Sequence, residues 1–67
     1  MSKFSERLRE LREERGLSQN ELAKELKTSA ACISRWEKDL RIPNIESIVS
    51  ICKYFGCSAD FLIGLED

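Results

Sequence analysis

Few residues in this sequence could do chemistry, and most catalytic and metal-binding chemistries find no set of side chains to use. Cys32, Cys52 and Cys57 are an odd number without C-x-x-C spacing, and there is no histidine to complete a zinc site. They read as reduced, small apolar residues, since free cysteine is mostly buried and inert. The missing histidine also removes the commonest general base, and no nucleophile elbow, phosphate loop or dinucleotide fingerprint is present. Glu13 and Glu14 belong to a charged helix surface and are not a catalytic pair. A non-enzyme is expected, with no metal and no cofactor. What remains is a strip of small and polar residues. At about 100° per residue, Ala30, Ala31, Ser34, Arg35 and Lys38 share one side of a helix whose other side carries Cys32, Ile33 and Trp36.

The elements that hold this strip follow from periodicity and from helix signals. Phe4, Leu8, Leu11 and the stem of Arg15 recur at helical spacing over residues 3 to 15, and Gly16 ends that helix. Ser18 caps a second, short helix, with Glu21 completing a capping box and Leu17 placed to staple against Leu22; it runs to about Leu26. Lys27, Thr28 and Ser29 form the next break, and Ser29 caps a third helix running from about Ala30 to Lys38. Asn44 caps a fourth, whose Ile45, Ile48, Val49, Ile51, Cys52 and Phe55 make a broad apolar stripe ended by Gly56. Ser58 caps a last short helix containing Phe61, Leu62 and Ile63, and Gly64 terminates it. No stretch alternates with period two, so the fold class is all-α: five short helices around one core.

Sixty-seven residues make one domain, residues 1–67, below the roughly 70–80 residues at which a single core is comfortable. There is no apolar run of signal-peptide or membrane-spanning length, which predicts a soluble, cytoplasmic protein with no membrane partner. The net charge of −1 argues at first against a polyanionic partner. Its distribution argues the other way. Residues 1–41 hold ten Lys/Arg against eight Asp/Glu, whereas residues 42–67 hold Lys53 against Glu46, Asp60, Glu66 and Asp67. The acidic end can sit away from a polyanion and leave a modest basic face.

Two short helices joined by a three-residue turn are the shape of a helix-turn-helix, but any small bundle contains such pairs. The residues themselves narrow it. Leu8 to Arg12, Gly16-Leu17-Ser18-Gln19, Glu21-Leu22-Ala23, Ile33 to Lys38, Arg41-Ile42-Pro43, Phe55-Gly56, Asp60-Phe61-Leu62 and Gly64 together resemble the phage-repressor and Cro-type (XRE) helix-turn-helix family. The resemblance covers nearly the whole chain. It implies a five-helix bundle in which helices 2 and 3 form the motif and the third enters the DNA major groove.

In such a docking the amino ends of helices 2 and 3 approach phosphates, where free N–H groups favour an anion and Gln19 and Ser29 add side-chain donors. A solvated first-turn residue is the plainer account of Gln19. The outward face of helix 3 offers Ala30, Ala31, Ser34 and Arg35 for base contacts: Arg35 can pair bidentately with guanine, and the alanine methyls can meet a thymine methyl. Against this, Arg35 can equally serve a phosphate or remain solvated, and Ala is simply a good helix former. Lys38, Arg41 and Asn44 would meet the backbone on the far side. Lys24 and Lys27 read as solvated. Trp36 falls on the core face and reads as a packing anchor rather than a stacking platform.

Arg12 and Glu37 match positions that form a linking ion pair in relatives. The positions of Lys27 and Asp39 are commonly glycine in the family and lie in turns where positive φ is needed, so either turn can differ locally. Asp39 also places a negative charge beside the expected phosphates.

The reading that follows is a sequence-specific transcriptional regulator, a repressor by resemblance, binding double-stranded DNA at a two-fold-symmetric operator as a homodimer. Val49, Ile63 and Leu65 are candidates for the dimer surface; closure of the core is the other role open to Ile63 and Leu65. The alternative is a protein-interaction module, an antitoxin-like partner that keeps the fold with weak or no DNA binding.

Overall fold

The computed structural model describes residues 3–66, which form five helices: α1 (Lys3–Glu14), α2 (Gln19–Leu26), α3 (Ala30–Glu37), α4 (Ile45–Phe55) and α5 (Ala59–Ile63). Each helix begins and ends close to its sequence signals. Ser18 accepts from the Glu21 amide at 3.0 Å while its own amide donates to Glu21 Oε1 at 2.8 Å, closing the expected capping box. Ser29, Asn44 and Ser58 accept in the same way from the amides of Cys32, Ser47 and Phe61, at 3.1, 2.8 and 3.0 Å. These caps satisfy amides that the first helical turn leaves without an internal partner.

The carboxyl ends share one device. The chain turns into the left-handed region at Gly16, Lys27, Asp39, Gly56 and Gly64. The next residue's amide then folds back: Leu17 to Arg12 O, Thr28 to Ala23 O, Leu40 to Arg35 O, Cys57 to Cys52 O and Leu65 to Asp60 O. This six-to-one bond is the mark of the Schellman motif. The positive φ expected at the two non-glycine positions is present, 57° at Lys27 and 63° at Asp39. Both flank α3.

α1 packs on α3 and α5, α2 on α3 and α4, and α4 on α5. Leu8, Leu22, Ile33, Ile51 and Leu62, one aliphatic from each helix, have no exposure at all and form the centre of the core. Burial of each is worth about 1.5–3 kcal/mol. Trp36 is the anchor that its angular position predicts, 4% exposed and set edge-on to Phe4 with ring centroids 6.2 Å apart. Among the described residues its buried Nε1 has no hydrogen-bond partner.

The stripe on α4 is narrower than its sequence suggests. Taking Ile51 as the core direction, Phe55 and Ile48 lie within about 60° of it, Cys52 at about 100°, and Ile45 and Val49 at about 120° and 160°. Burial follows the angle in outline: Ile51 and Phe55 are buried, Ile48 and Cys52 half-buried, and the two farthest, Ile45 and Val49, are 79% and 45% exposed, Ile45 being the more open as the first residue of the helix. A core shared by five helices has room for only part of the arc. Ile63 and Leu65, at 41% and 74% exposed, do not close the core.

Two backbone substitutions test these turns. Lys27→Gly should raise stability by about 1 kcal/mol, since a side chain in the left-handed region costs roughly 1–2 kcal/mol. Gly64→Ala should cost more than Gly16→Ala: a Cβ at Gly64 would lie 2.5 Å from Lys3 Cβ, whereas one at Gly16 meets nothing within 4 Å. Urea unfolding of the three variants measures both effects, and equal losses at the two glycines would remove the Lys3 contact as a cause.

Candidate nucleic-acid interface

The outer face of α3 is where the helical period places it. Ala31 and Arg35 are exposed, and Ala30 and Ser34 are half-buried beside them. Lys38 is the residue on which α3 ends, in bridge-region backbone, rather than its last helical residue, and Arg41 follows in the connection to α4; both are exposed. Among the described residues, no ion pair or hydrogen bond engages the side chains of Arg35, Lys38 or Arg41.

The arginines of α1 and its closing turn behave differently. Arg7 donates to the Phe61 and Glu66 carbonyls and lies over the Phe61 ring at 4.3 Å. Arg15 donates to the Tyr54 and Phe55 carbonyls, each at 3.2 Å, and lies over both rings. Arg9 and Arg12 converge on Glu37. Four of the six arginines are therefore committed to holding the fold, and the two on and after α3, Arg35 and Arg41, are left with Lys38 to meet a partner.

Glu37, the last residue of α3, is 1% exposed. Arg12 grips it bidentately, Nε to Oε2 at 2.6 Å and Nη2 to Oε1 at 2.9 Å, and also donates from Nη1 to the Leu17 carbonyl at 2.9 Å. Gln19 Nε2 donates to Glu37 Oε1 at 3.2 Å, and Arg9 Nη2 to the Glu37 carbonyl at 3.2 Å. Burial pushes the Glu37 carboxyl up, but the hydrogen bonds from Arg12 and Gln19 and the charges of Arg12 and Arg9 outweigh it and hold the group below its ordinary value. The Arg12 guanidinium is pushed the other way, chiefly by its hydrogen bond to Glu37. The pair expected from the sequence is thus a four-residue cluster joining α1, α2 and α3, with its carboxylate buried and its donors half-buried around it.

Gln19 is therefore not an idle solvated residue. One amide hydrogen is held by Glu37 and the second remains available. Ser29 and Asn44 are alike in this respect: each uses its side-chain oxygen to cap a helix and keeps a donor free of that bond. Three helix starts, those of α2, α3 and α4, so carry a polar side chain with donor capacity next to unpaired first-turn amides.

The surface also holds apolar side chains that the sequence does not single out. Leu40 and Ile42, between α3 and α4, are 72% and 88% exposed. Ile42, Pro43, Ile48, Ile63 and Phe4, with Asp39 and Arg41, line an apolar groove of about 330 Å³. No spacing rule finds such residues, because they lie in an irregular connection where periodicity says nothing.

The helix-turn-helix family pattern matches residues 8–62. The chain belongs to the XRE-type helix-turn-helix family. It is similar to the HTH-type transcriptional activator BcrR of Enterococcus faecalis, 39% identical over 64 residues, which is 96% of this chain and 31% of that protein. The HTH-type transcriptional regulator ImmR of Bacillus subtilis is 29% identical over 64 residues, 96% of this chain and 50% of that protein. The chain spans a third to a half of the length of these curated relatives. Among solved structures, the P22 c2 repressor crystallised with synthetic operator 9T superimposes with a TM-score of 0.87 at 32% identity, covering 94% of this chain and 96% of that one. The five-helix, all-α class read from the sequence is that of this repressor.

Removing Glu37 tests the cluster. Glu37→Ala leaves the half-buried Arg12 without its counter-charge and opens a cavity at a fully buried position, and should cost about 2–4 kcal/mol, a large part of the stability of so small a domain. The sign with pH is fixed by the lowered carboxyl: the pair's contribution is fully present above the ordinary carboxylate value of about 4.3 and is lost as pH falls through the folded value. In acid unfolding followed by circular dichroism, Glu37→Gln should flatten that limb. Parallel acid limbs in the two proteins would show that other carboxylates govern it.

Proposed function

We propose that this chain is the DNA-binding domain of a cytoplasmic transcriptional regulator, inserting α3 into the major groove of a two-fold-symmetric operator as a homodimer. The observation that carries this reading is the division of the arginines: Arg7, Arg9 and Arg12 of α1 are engaged in the fold, whereas Arg35 and Arg41, with Lys38 between them, are exposed without internal partners among the described residues. The three helix starts bearing Gln19, Ser29 and Asn44 supply amides and side-chain donors for phosphates. Ala30, Ala31, Ser34 and Arg35 form the strip for base edges, with Arg35 in bidentate contact with a guanine. The likeness to an operator-bound repressor supports the same docking.

Size supports the homodimer. One protomer measures 28 × 24 × 22 Å, less than the roughly 34–36 Å between successive major-groove faces, so one copy reads one half-site. The exposed Val49, Ile63 and Leu65 and the groove that Ile63 lines give a second copy an apolar surface to bury.

A duplex pool with a random core, selected at low salt and sequenced, should yield paired half-sites one helical turn apart. On the recovered site, Arg35→Ala should cost about 1–3 kcal/mol and relax one base position, while Lys38→Ala should weaken all sequences alike and lower the salt slope by about one. Retention of no duplex at any salt concentration would instead support the protein-interaction module. Equal losses on selected and random DNA for both variants would remove Arg35 from base reading.

A further inference from the structure

Cys52 and Cys57 are five residues apart, a spacing with no meaning in a continuous helix, where side chains meet at three or four. The chain between them is not a continuous helix. α4 ends at Phe55, Gly56 enters the left-handed region with φ 69°, and the Cys57 amide donates to the Cys52 carbonyl at 3.1 Å. The six-to-one closure brings its first and last residues side by side, and their side chains usually touch there. Both cysteines are half-buried and pack on the edge of the core, whereas Cys32 is buried in it.

We propose that Cys52 and Cys57 form a redox-active dithiol that closes to an intrachain disulfide across the carboxyl end of α4 when it meets a low-molecular-weight disulfide. The Cys57 sulfur, as thiolate, attacks one sulfur of the small disulfide; that S–S bond breaks and the first small thiol leaves. The Cys52 sulfur then attacks Cys57 in the mixed disulfide, its proton passing to the second small thiol as it departs. Two protein thiols are oxidised by two electrons, and one small disulfide is reduced to two thiols.

The order of the steps follows from the environment of Cys52. Burial, and then the neighbouring Cys57 thiol, hold it protonated, so it is the poorer initial nucleophile and serves as the resolving group. The product ties the last turn of α4 to the residue before the α5 cap, Ser58, and so fixes the junction that carries Ile63. Reducing conditions keep the pair open, which makes it a sensor of oxidative change rather than a standing cross-link.

The test uses the whole chain equilibrated in glutathione buffers of graded disulfide content, quenched in acid, alkylated after denaturation and weighed. A species that carries one alkyl group, on Cys32, instead of three, and that before alkylation is about 2 Da lighter than the reduced chain, is expected to grow with disulfide content. Cys52→Ser should accumulate a glutathione adduct at Cys57, and Cys57→Ser less adduct at Cys52, which burial holds protonated, in the same time. Three results would overturn the proposal: no 2 Da loss at any ratio while circular dichroism reports a folded chain, a bridge that includes Cys32, or disulfides only between chains. The wild-type masses decide the matter even if a serine variant fails to fold.

Discussion

A carboxylate at 1% exposure has given up its water, and the folded state survives only if protein donors replace it. Glu37 sets that demand at the end of α3. It is met from two other helices and the turn between them, by Arg12 and Arg9 from α1 and by Gln19 at the start of α2, with Arg12 also tied to the Leu17 carbonyl. A buried ion pair of this kind roughly breaks even against an apolar replacement in free energy. Its contribution is orientation: the bonds are directional, and they tie α1, α2 and α3 to one carboxylate at once. The aliphatic core, which accepts many small slides, then packs within limits set by a directional cluster.

That cluster also explains how a chain of net charge −1 can present a cationic surface. Much of its arginine is held against the fold, on backbone carbonyls, aromatic rings and Glu37, and is not free to reach a partner. Arg35, Lys38 and Arg41 lie outward together on α3 and the connection after it. In the proposed docking, the charge that matters is local, helped by the amino ends of three helices, and overall charge is a poor guide to the partner.

The sequence made the punctuation of the fold legible. Serine and asparagine caps, the Ser18–Glu21 box and the three glycines are local signals acting over four or five residues, and the helices obey them to within a residue or so. It was less informative wherever the outcome depends on how many elements compete for the same space. The α4 stripe was read as one face, but only the residues nearest the Ile51 direction reach the core, and Ile45 and Val49 do not. The Arg12–Glu37 link came from resemblance alone. The recruitment of Arg9 and Gln19 to it was not visible, since nothing in a linear chain shows that three residues from two helices will share the carboxylate of a third. The exposed Leu40 and Ile42 escaped for a related reason, lying in a segment without period.

The five left-handed closures carry a consequence for the speed of assembly. Each bond that ends a helix spans five residues, and each cap spans three, so a large part of the hydrogen bonding joins near neighbours in the chain. Helical chains dominated by such local contacts fold in microseconds to milliseconds, because little loop entropy must be lost before the contacts form. Ribosomes add only about 5–20 residues each second. Each new helix can therefore find its ends while the next is still being translated, and the rate of synthesis, not the search for structure, sets when this domain is complete.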